Sequence, residues 1–406
     1  MPYQYFLLHY YNIRKRKMNS HSDILIVGGG IIGASIAYYL SQNHVGKITL
    51  CEQSRPPGIG ATSKSGGLLR MHHTNSFQSK LAWKSLQIYS KWNENIGGDC
   101  GFNKTGFAMI VSPEFKNEIT HNVSMISEIG IPIKLLSPEE YKEIQPESSI
   151  EGIGLVAFEP HSGYADPVKT TQCFISKALE NGVLLREGVR INKLIIQKEK
   201  AIGVETNIGS LYADNIIIAN NVWAAEILEK HNINLPLRSK QIGICFLSRV
   251  DSKVPTKLLT HIDDTIGTYF RPISEKEILI GMFHNQWDVD PNNKNSVPTL
   301  KNIAYTQNKI KKRLPFLENF FPIGGRVSFD GYTPDKHPII GKCPQIENVY
   351  LAVGFSGGGF KIAPAVGEAV AKEILTKEKQ PEIQPYQLER FFESKLIKGK
   401  YRYDYM

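Results

Sequence analysis

Residues 24–52 read ILIVGGGIIGASIAYYLSQNHVGKITLCE, and this stretch decides the fold. Ile24 to Val27 is a continuous apolar run rich in β-branched residues, the pattern of a parallel strand buried on both faces. Gly28, Gly30 and Gly33 follow at once in a G-x-G-x-x-G spacing, and Ala34 to Leu40 reads as a helix. In such a turn Gly28 permits the tight bend, Gly30 lets backbone approach a pyrophosphate, and Gly33 allows close helix–strand packing. The helix N-terminus supplies free N–H groups and a positive dipole end. Lys47 to Cys51 is the second strand, and Glu52 stands at its end, 19 residues after Gly33, where a carboxylate accepts hydrogen bonds from ribose hydroxyls. The motif predicts dinucleotide binding without separating FAD from NAD.

At 406 residues the chain is too long for one simple core, and two intertwined domains are expected. Five cysteines, at 51, 100, 173, 245 and 343, are scattered with no CxxC pair, which argues against a disulfide framework or a zinc site and suits a reducing, cytoplasmic setting. The formal charge of +9 is spread along the chain, with clusters only at 14–17 and near the C-terminus, so no nucleic-acid partner is expected. No run reaches the roughly 18 apolar residues of a membrane span, although surface association with a membrane stays open. The first 22 residues carry no acid before Asp23, and Met18 reads as a second start that makes the preceding residues an upstream extension.

Further along, residues 76–96 look helical, 105–155 alternate short strands with a polar helix, and Ser137 with Glu140 forms a capping-box pattern. Asp166-Pro167 opens another helix. Three strands follow, ending in the buried run Ile216 to Ala219, and 240–290 alternates in strand fashion. A Lys-rich helix covers 300–314, and the tail returns to strand, glycine turn and a helix beginning near Ala363.

Two blocks outside the first motif separate the cofactors. GIGATSKSGGLLR (58–70) is a small-residue loop able to lie along the second half of a long cofactor, although a plain surface loop has the same composition. GFSGGGFK (354–361) is a second glycine turn leading into a helix N-terminus, suited to the ring end of a flavin. With ILIVGGGIIGASIAYYL and with GYTPDKHPIIG (331–341), these blocks resemble the D-amino-acid oxidase superfamily of FAD enzymes, and its sarcosine-oxidase-like branch in particular. The resemblance runs from about 22 to 378.

That resemblance implies an α/β protein with a discontinuous Rossmann-like FAD-binding domain over 22–105, 155–238 and 322–380. An α+β substrate domain with a mixed sheet would take 106–154 and 239–321, leaving 1–21 as an extension and 381–406 as a tail. Gly28, Gly30, Ile31, Ile32, Gly33, Glu52 and Gln53 would hold the ADP half, with Val189 at the adenine. Ala61, Thr62, Ser63, Gly66, Gly67 and Leu68 would line the pyrophosphate and flavin, with Ala219 and Trp223 from the middle segment. Gly357, Gly358, Gly359, Phe360 and Lys361 would contact the flavin ring and the active-site floor, and Gly331, Gly354 and Ser356 are further cofactor-binding positions.

Arg70 and Lys361 match positions that grip a substrate carboxylate in the related branch, and two cations converging on a buried pocket need an anion between them. The plain alternatives are a surface cation or a pyrophosphate ligand for Arg70 and a solvated first-turn residue for Lys361. His72, His73, Tyr269, His284 and Tyr332 are further pocket candidates, and His337 reads as structural.

Three departures stand out. Asn220-Asn221 replaces the family's usual glycine before Trp223. Leu279 stands where the oxidases carry a lysine near the flavin. Ser328 stands where covalent attachment uses a cysteine, so non-covalent FAD is expected. The expected activity is oxidation of the C–N bond of a small amino acid or N-alkyl or cyclic amino acid. Electrons would pass to oxygen or another redox carrier, and Leu279 tilts the choice toward a dehydrogenase. An NAD dehydrogenase, a flavin monooxygenase and a flavin-bearing scaffold are the competing readings.

Overall fold

The computed structural model describes residues 21–43, 45–249, 254–255, 257–282, 286–292 and 297–399. His284 and residues 1–20 of the extension lie outside the described residues. The ILIV run forms the strand His21–Val27 at the centre of the first sheet. In spatial order that sheet is Ile339–Lys342, Val349–Val353, Gly209–Ile218, His21–Val27, Ile48–Glu52 and Leu184–Glu187, with Ile191–Gln197 and Lys200–Thr206 joined beside Gly209–Ile218. The strands from Val349–Val353 to Leu184–Glu187 all run parallel. All four residues of the ILIV run are buried, as two-sided coverage by helices requires.

Helix Ile31–Ser41 crosses one face and lies against helices Pro167–Glu180 and Gly359–Thr376. Two glycines make this approach possible. Gly28 has φ +107°, and a Cβ there would stand 2.7 Å from the Ala219 carbonyl oxygen. A Cβ on Gly33 would stand 1.9 Å from the Gly28 carbonyl oxygen, so the helix seats on the turn only through glycine.

The second sheet runs Phe321–Tyr332, Arg238–Ser248, Glu277–Gly281, Thr268–Pro272, Thr260–Asp263, Phe107–Val111, Leu155–Glu159 and Lys134–Leu136. Thr260–Asp263 is parallel to Phe107–Val111 and antiparallel to Thr268–Pro272, which makes the sheet mixed. Strands Leu155–Glu159 and Phe321–Tyr332 belong to this sheet, not to the nucleotide segments in which the sequence boundaries placed them. The reason is pairing: Phe321–Tyr332 pairs with Arg238–Ser248 from end to end, and Leu155–Glu159 fills the gap between Phe107–Val111 and Lys134–Leu136. Helix Leu300–Arg313 is clamped to the sheet through Arg313 Nε and Asp263 Oδ2, 2.6 Å apart in the interior.

Local signals behave as the sequence suggests at two caps. Ser137 and Glu140 form a reciprocal capping box, and the Asp166 side chain accepts from Val168 N and Lys169 N. Helix Lys116–Glu128 was not expected, because its buried Ile119, Val123 and Ile126 are diluted by polar and β-branched neighbours. The last helix begins at Gly359, four residues before the expected start. Pro364 therefore lies inside it and has no N–H for the Phe360 carbonyl; the Tyr89 hydroxyl donates there instead, at 2.9 Å. Beyond this helix, Arg390 grips both oxygens of Asp335 at 2.8 and 3.1 Å, tying the C-terminal segment to the TPD turn. Among the described residues no helix is long and apolar enough to cross a membrane.

Candidate active site

One cavity of about 580 Å³ runs from the glycine turn of the first sheet to the wall of the second. At one end Glu52 accepts from Gly29 N and Ser54 N, both at 2.7 Å, which fixes its carboxylate beside the turn. Thr62 Oγ1 accepts from Ile31 N at 3.2 Å, so the 58–70 loop closes over the helix N-terminus. Helices Ile31–Ser41 and Gly359–Thr376 both start without a side-chain cap, at Gly30 and Gly358, and both starts line the cavity. Uncapped N–H groups and the helix dipole favour an anion or an electron-rich ring there. Asn220 Oδ1 and His73 Nε2 are buried without a hydrogen-bond partner among the described residues, and both side chains border the cavity. Such atoms cost about 1–3 kcal/mol each unless a bound group satisfies them, so this long, glycine-walled cavity fits FAD.

Every residue expected at the cofactor lines the cavity except Gly33, Ser63, Gly331 and Gly354. These four back its wall. Gly33 sits under the turn, the Ser63 hydroxyl is spent on Ile59 O and Gly60 O, and Gly331 N donates to Asn221 Oδ1. Gly354, at φ +69°, packs against Thr333. Val189 and Trp223 also line the cavity, and Asn221 takes φ +57°, so asparagine does keep the turn. Its side chain also bridges Asp330 Oδ1 and Gly331 N, which locks the two sheets together at the cavity.

Arg70, Lys361 and Tyr269 all line the cavity, but His72 does not. His72 is fully buried behind it, its carbonyl accepting from Arg70 Nη1, and burial together with Arg70 holds its imidazole down to about 3. His73, the next residue, does line the cavity. Burial, then Arg70 and Lys361, keep its ring neutral, well below the ordinary histidine range. Arg70 and Lys361 are 9% and 8% exposed. Burial first, then the Arg70 charge, lowers the Lys361 ammonium to about 7, against the opposing pull of Asp330. The Tyr269 ring lies between Gly66 and Gly281, within contact of both. Tyr332 and His337 also border the cavity, and His337 serves structure: its Nδ1 meets Asp335 O and its Nε2 meets Asn75 Nδ2. Leu279 is buried in its strand and does not line the cavity.

Sequence reasoning missed Asp330, Glu159 and Lys240. Asp330 accepts from Asn221 Nδ2, Gly331 N and Gly357 N, so it anchors the second glycine turn. Glu159, fully buried, accepts from Met71 N and Ser162 Oγ and thereby holds the segment that carries Arg70 and His73. Each acid accepts from a backbone amide distant in sequence, Gly357 N for Asp330 and Met71 N for Glu159, and such a contact leaves no local signature.

Residues 23–373 match the family described as FAD dependent oxidoreductase (DAO). The chain is 25% identical over 375 residues to 4-methylaminobutanoate oxidase (formaldehyde-forming) of Paenarthrobacter nicotinovorans, covering 88% of this chain and 44% of that protein. It is 25% identical over 393 residues to sarcosine oxidase subunit beta of Arthrobacter sp, covering 92% of each. The solved L-proline dehydrogenase from P. horikoshii superposes with a TM-score of 0.84 at 26% identity, over 94% of this chain and all of that one. The chain spans less than half the length of the first curated relatives it matches.

Proposed function

Because this chain belongs to the FAD dependent oxidoreductase (DAO) family, we propose that it oxidises the C–N bond of a small amino acid or N-alkyl or cyclic amino acid to an imine. The observation that carries this reading is the pair Arg70 and Lys361, two buried cations lining one cavity, together with His73, whose Nε2 is buried without a hydrogen-bond partner among the described residues. A substrate carboxylate placed between the cations relieves their mutual repulsion and forms charge-assisted hydrogen bonds. The anchored carboxylate fixes the position of the adjacent C–H and amine. The neutral His73 ring can accept an amine N–H, and the dry surroundings favour the uncharged amine whose lone pair drives imine formation. Bound FAD supplies the hydride acceptor. The released imine then hydrolyses to a carbonyl compound and an amine.

The FAD is held without a covalent bond in this reading, since Ser328 has no thiol to offer and does not line the cavity. The strand Glu277–Gly281 offers no lysine to the cavity, which favours a carrier other than oxygen as electron acceptor. The test is product analysis by mass spectrometry after incubation with glycine, sarcosine, L- and D-proline and D-alanine plus an artificial electron acceptor. Release of the matching aldehyde, 2-oxo acid or cyclic imine supports the reading. Absence of turnover with every member of the panel contradicts it.

A further inference from the structure

Another cation, Lys240, faces the same cavity, and its ammonium lies against aromatic rings. Lys240 pairs with Asp330 across strands Arg238–Ser248 and Phe321–Tyr332, and Arg238 pairs with Tyr332. Alternate residues share a face, so Lys240, Asp330 and Tyr332 project together, and all three line the cavity. Asp330 is the natural partner for Lys240 but does not take it, because its oxygens are occupied by Asn221 Nδ2, Gly331 N and Gly357 N. Instead the Lys240 ammonium lies 5.0 Å from the Trp287 ring centroid and 5.4 Å from that of Tyr332. Among the described residues it has no ion pair and no hydrogen bond. Burial, and then the nearby Lys336 charge, disfavour its protonated form.

Ring faces attract an ammonium but leave its three N–H donors unspent. This corner also adjoins the carboxylate pair. The Tyr332 hydroxyl lies 3.1 Å from where a Cβ on Gly357 would stand, and the Gly357 carbonyl is 3.4 Å from Lys361 Nζ. Around this corner the cavity presents Arg70, Lys361 and Lys240, while the two acids that line it, Asp330 and Asp335, are already engaged, Asp330 by Asn221 Nδ2, Gly331 N and Gly357 N and Asp335 by Arg390.

We propose that Lys240, set against Trp287 and Tyr332, forms a second anion subsite for the distal carboxylate of a substrate whose other carboxylate lies on Arg70 and Lys361. The preferred substrate is therefore an amino or N-alkylamino dicarboxylic acid. This inference rests on the carboxylate role of Arg70 and Lys361 proposed above.

The experiment measures dissociation constants on the FAD-bound protein from the shift in flavin absorbance. The probes are malonate, succinate and glutarate, each against the monocarboxylate of equal carbon number: propionate, butyrate and valerate. At least one dicarboxylate is expected to bind ten-fold or more tightly than its counterpart. Lys240→Gln brings that pair to within two-fold and leaves the monocarboxylate constant unchanged, whereas Lys240→Arg keeps the preference. Equal binding of both classes to the wild type, or a preference that survives Lys240→Gln, overturns the subsite and leaves the carboxylate pair standing. If neither class perturbs the flavin, the carboxylate pair falls as well.

Discussion

Replacing Lys361 by methionine probes the pH dependence that the cavity builds into substrate binding. The fall of the Lys361 ammonium from 10.5 to about 7 corresponds to about 5 kcal/mol of disfavoured charge. The sign follows from linkage. Between about pH 7 and 10.5 the unfolded chain holds this proton and the folded one does not, so in this window the free protein gains stability as pH rises. A carboxylate placed between Arg70 and Lys361 acts in the opposite sense, because it stabilises the ammonium and raises its pKa in the complex. Binding above pH 7 therefore takes up a proton, and affinity falls by up to about tenfold per pH unit until the pKa of the complex is reached. Losing one partner of a buried charge pair costs about 2–4 kcal/mol, so Lys361→Met should weaken binding roughly 30- to 1000-fold at pH 6 and remove the slope. Titration of flavin absorbance with propionate at pH 6, 7, 8 and 9 measures both effects. A wild-type dissociation constant that stays flat over this range, or a slope that persists in Lys361→Met, refutes the reasoning.

Other perturbations test separate parts of the account. Gly33→Ala places a methyl group 1.9 Å from the Gly28 carbonyl oxygen, so the purified variant should lose most of its bound FAD, as its absorbance at the flavin band will show. Arg390→Met strands the buried Asp335 carboxylate and should cost about 3–5 kcal/mol in denaturant unfolding. Burial pushes the Asp335 carboxyl up, but hydrogen bonds and charge from Arg390 hold it below its ordinary value overall. Its stabilising share is thus present above the unfolded carboxyl pKa of about 3.9 and lost as pH falls through the lower folded value, and the variant's acid unfolding should lack that share. With no lysine offered by Glu277–Gly281, the substrate-reduced protein should reoxidise slowly in air and rapidly with an artificial carrier, as stopped-flow absorbance would record.

The parts of this protein that were legible in its sequence are those whose chemistry is local. The strand, turn and helix around Gly28 to Gly33 announce themselves because glycine is needed at fixed offsets, and Glu52 follows at the end of the next strand. The 354–361 turn and the caps at Ser137 and Asp166 are visible for the same reason. What escaped depends on pairing across distance. Nothing near residue 155 or 321 tells which sheet will take those strands, since either sheet accepts an apolar, β-rich segment. Lys240 and Asp330 face each other across 90 positions of sequence, and only the strand register brings them together. His72 and His73 are adjacent and chemically identical, so composition could not show which of them reaches the cavity. The early start of the last helix was hidden because Pro364 resembles a first-turn proline until Tyr89 is seen supplying the missing donor.

The most direct test of the central claim follows the flavin absorbance of the purified protein under anaerobic conditions while small amino acids and N-methyl amino acids are added. The account predicts a yellow protein whose band bleaches with at least one of them and returns when an electron acceptor is supplied. A colourless protein that refuses added FAD, or a yellow one that none of these amines bleaches, would contradict it.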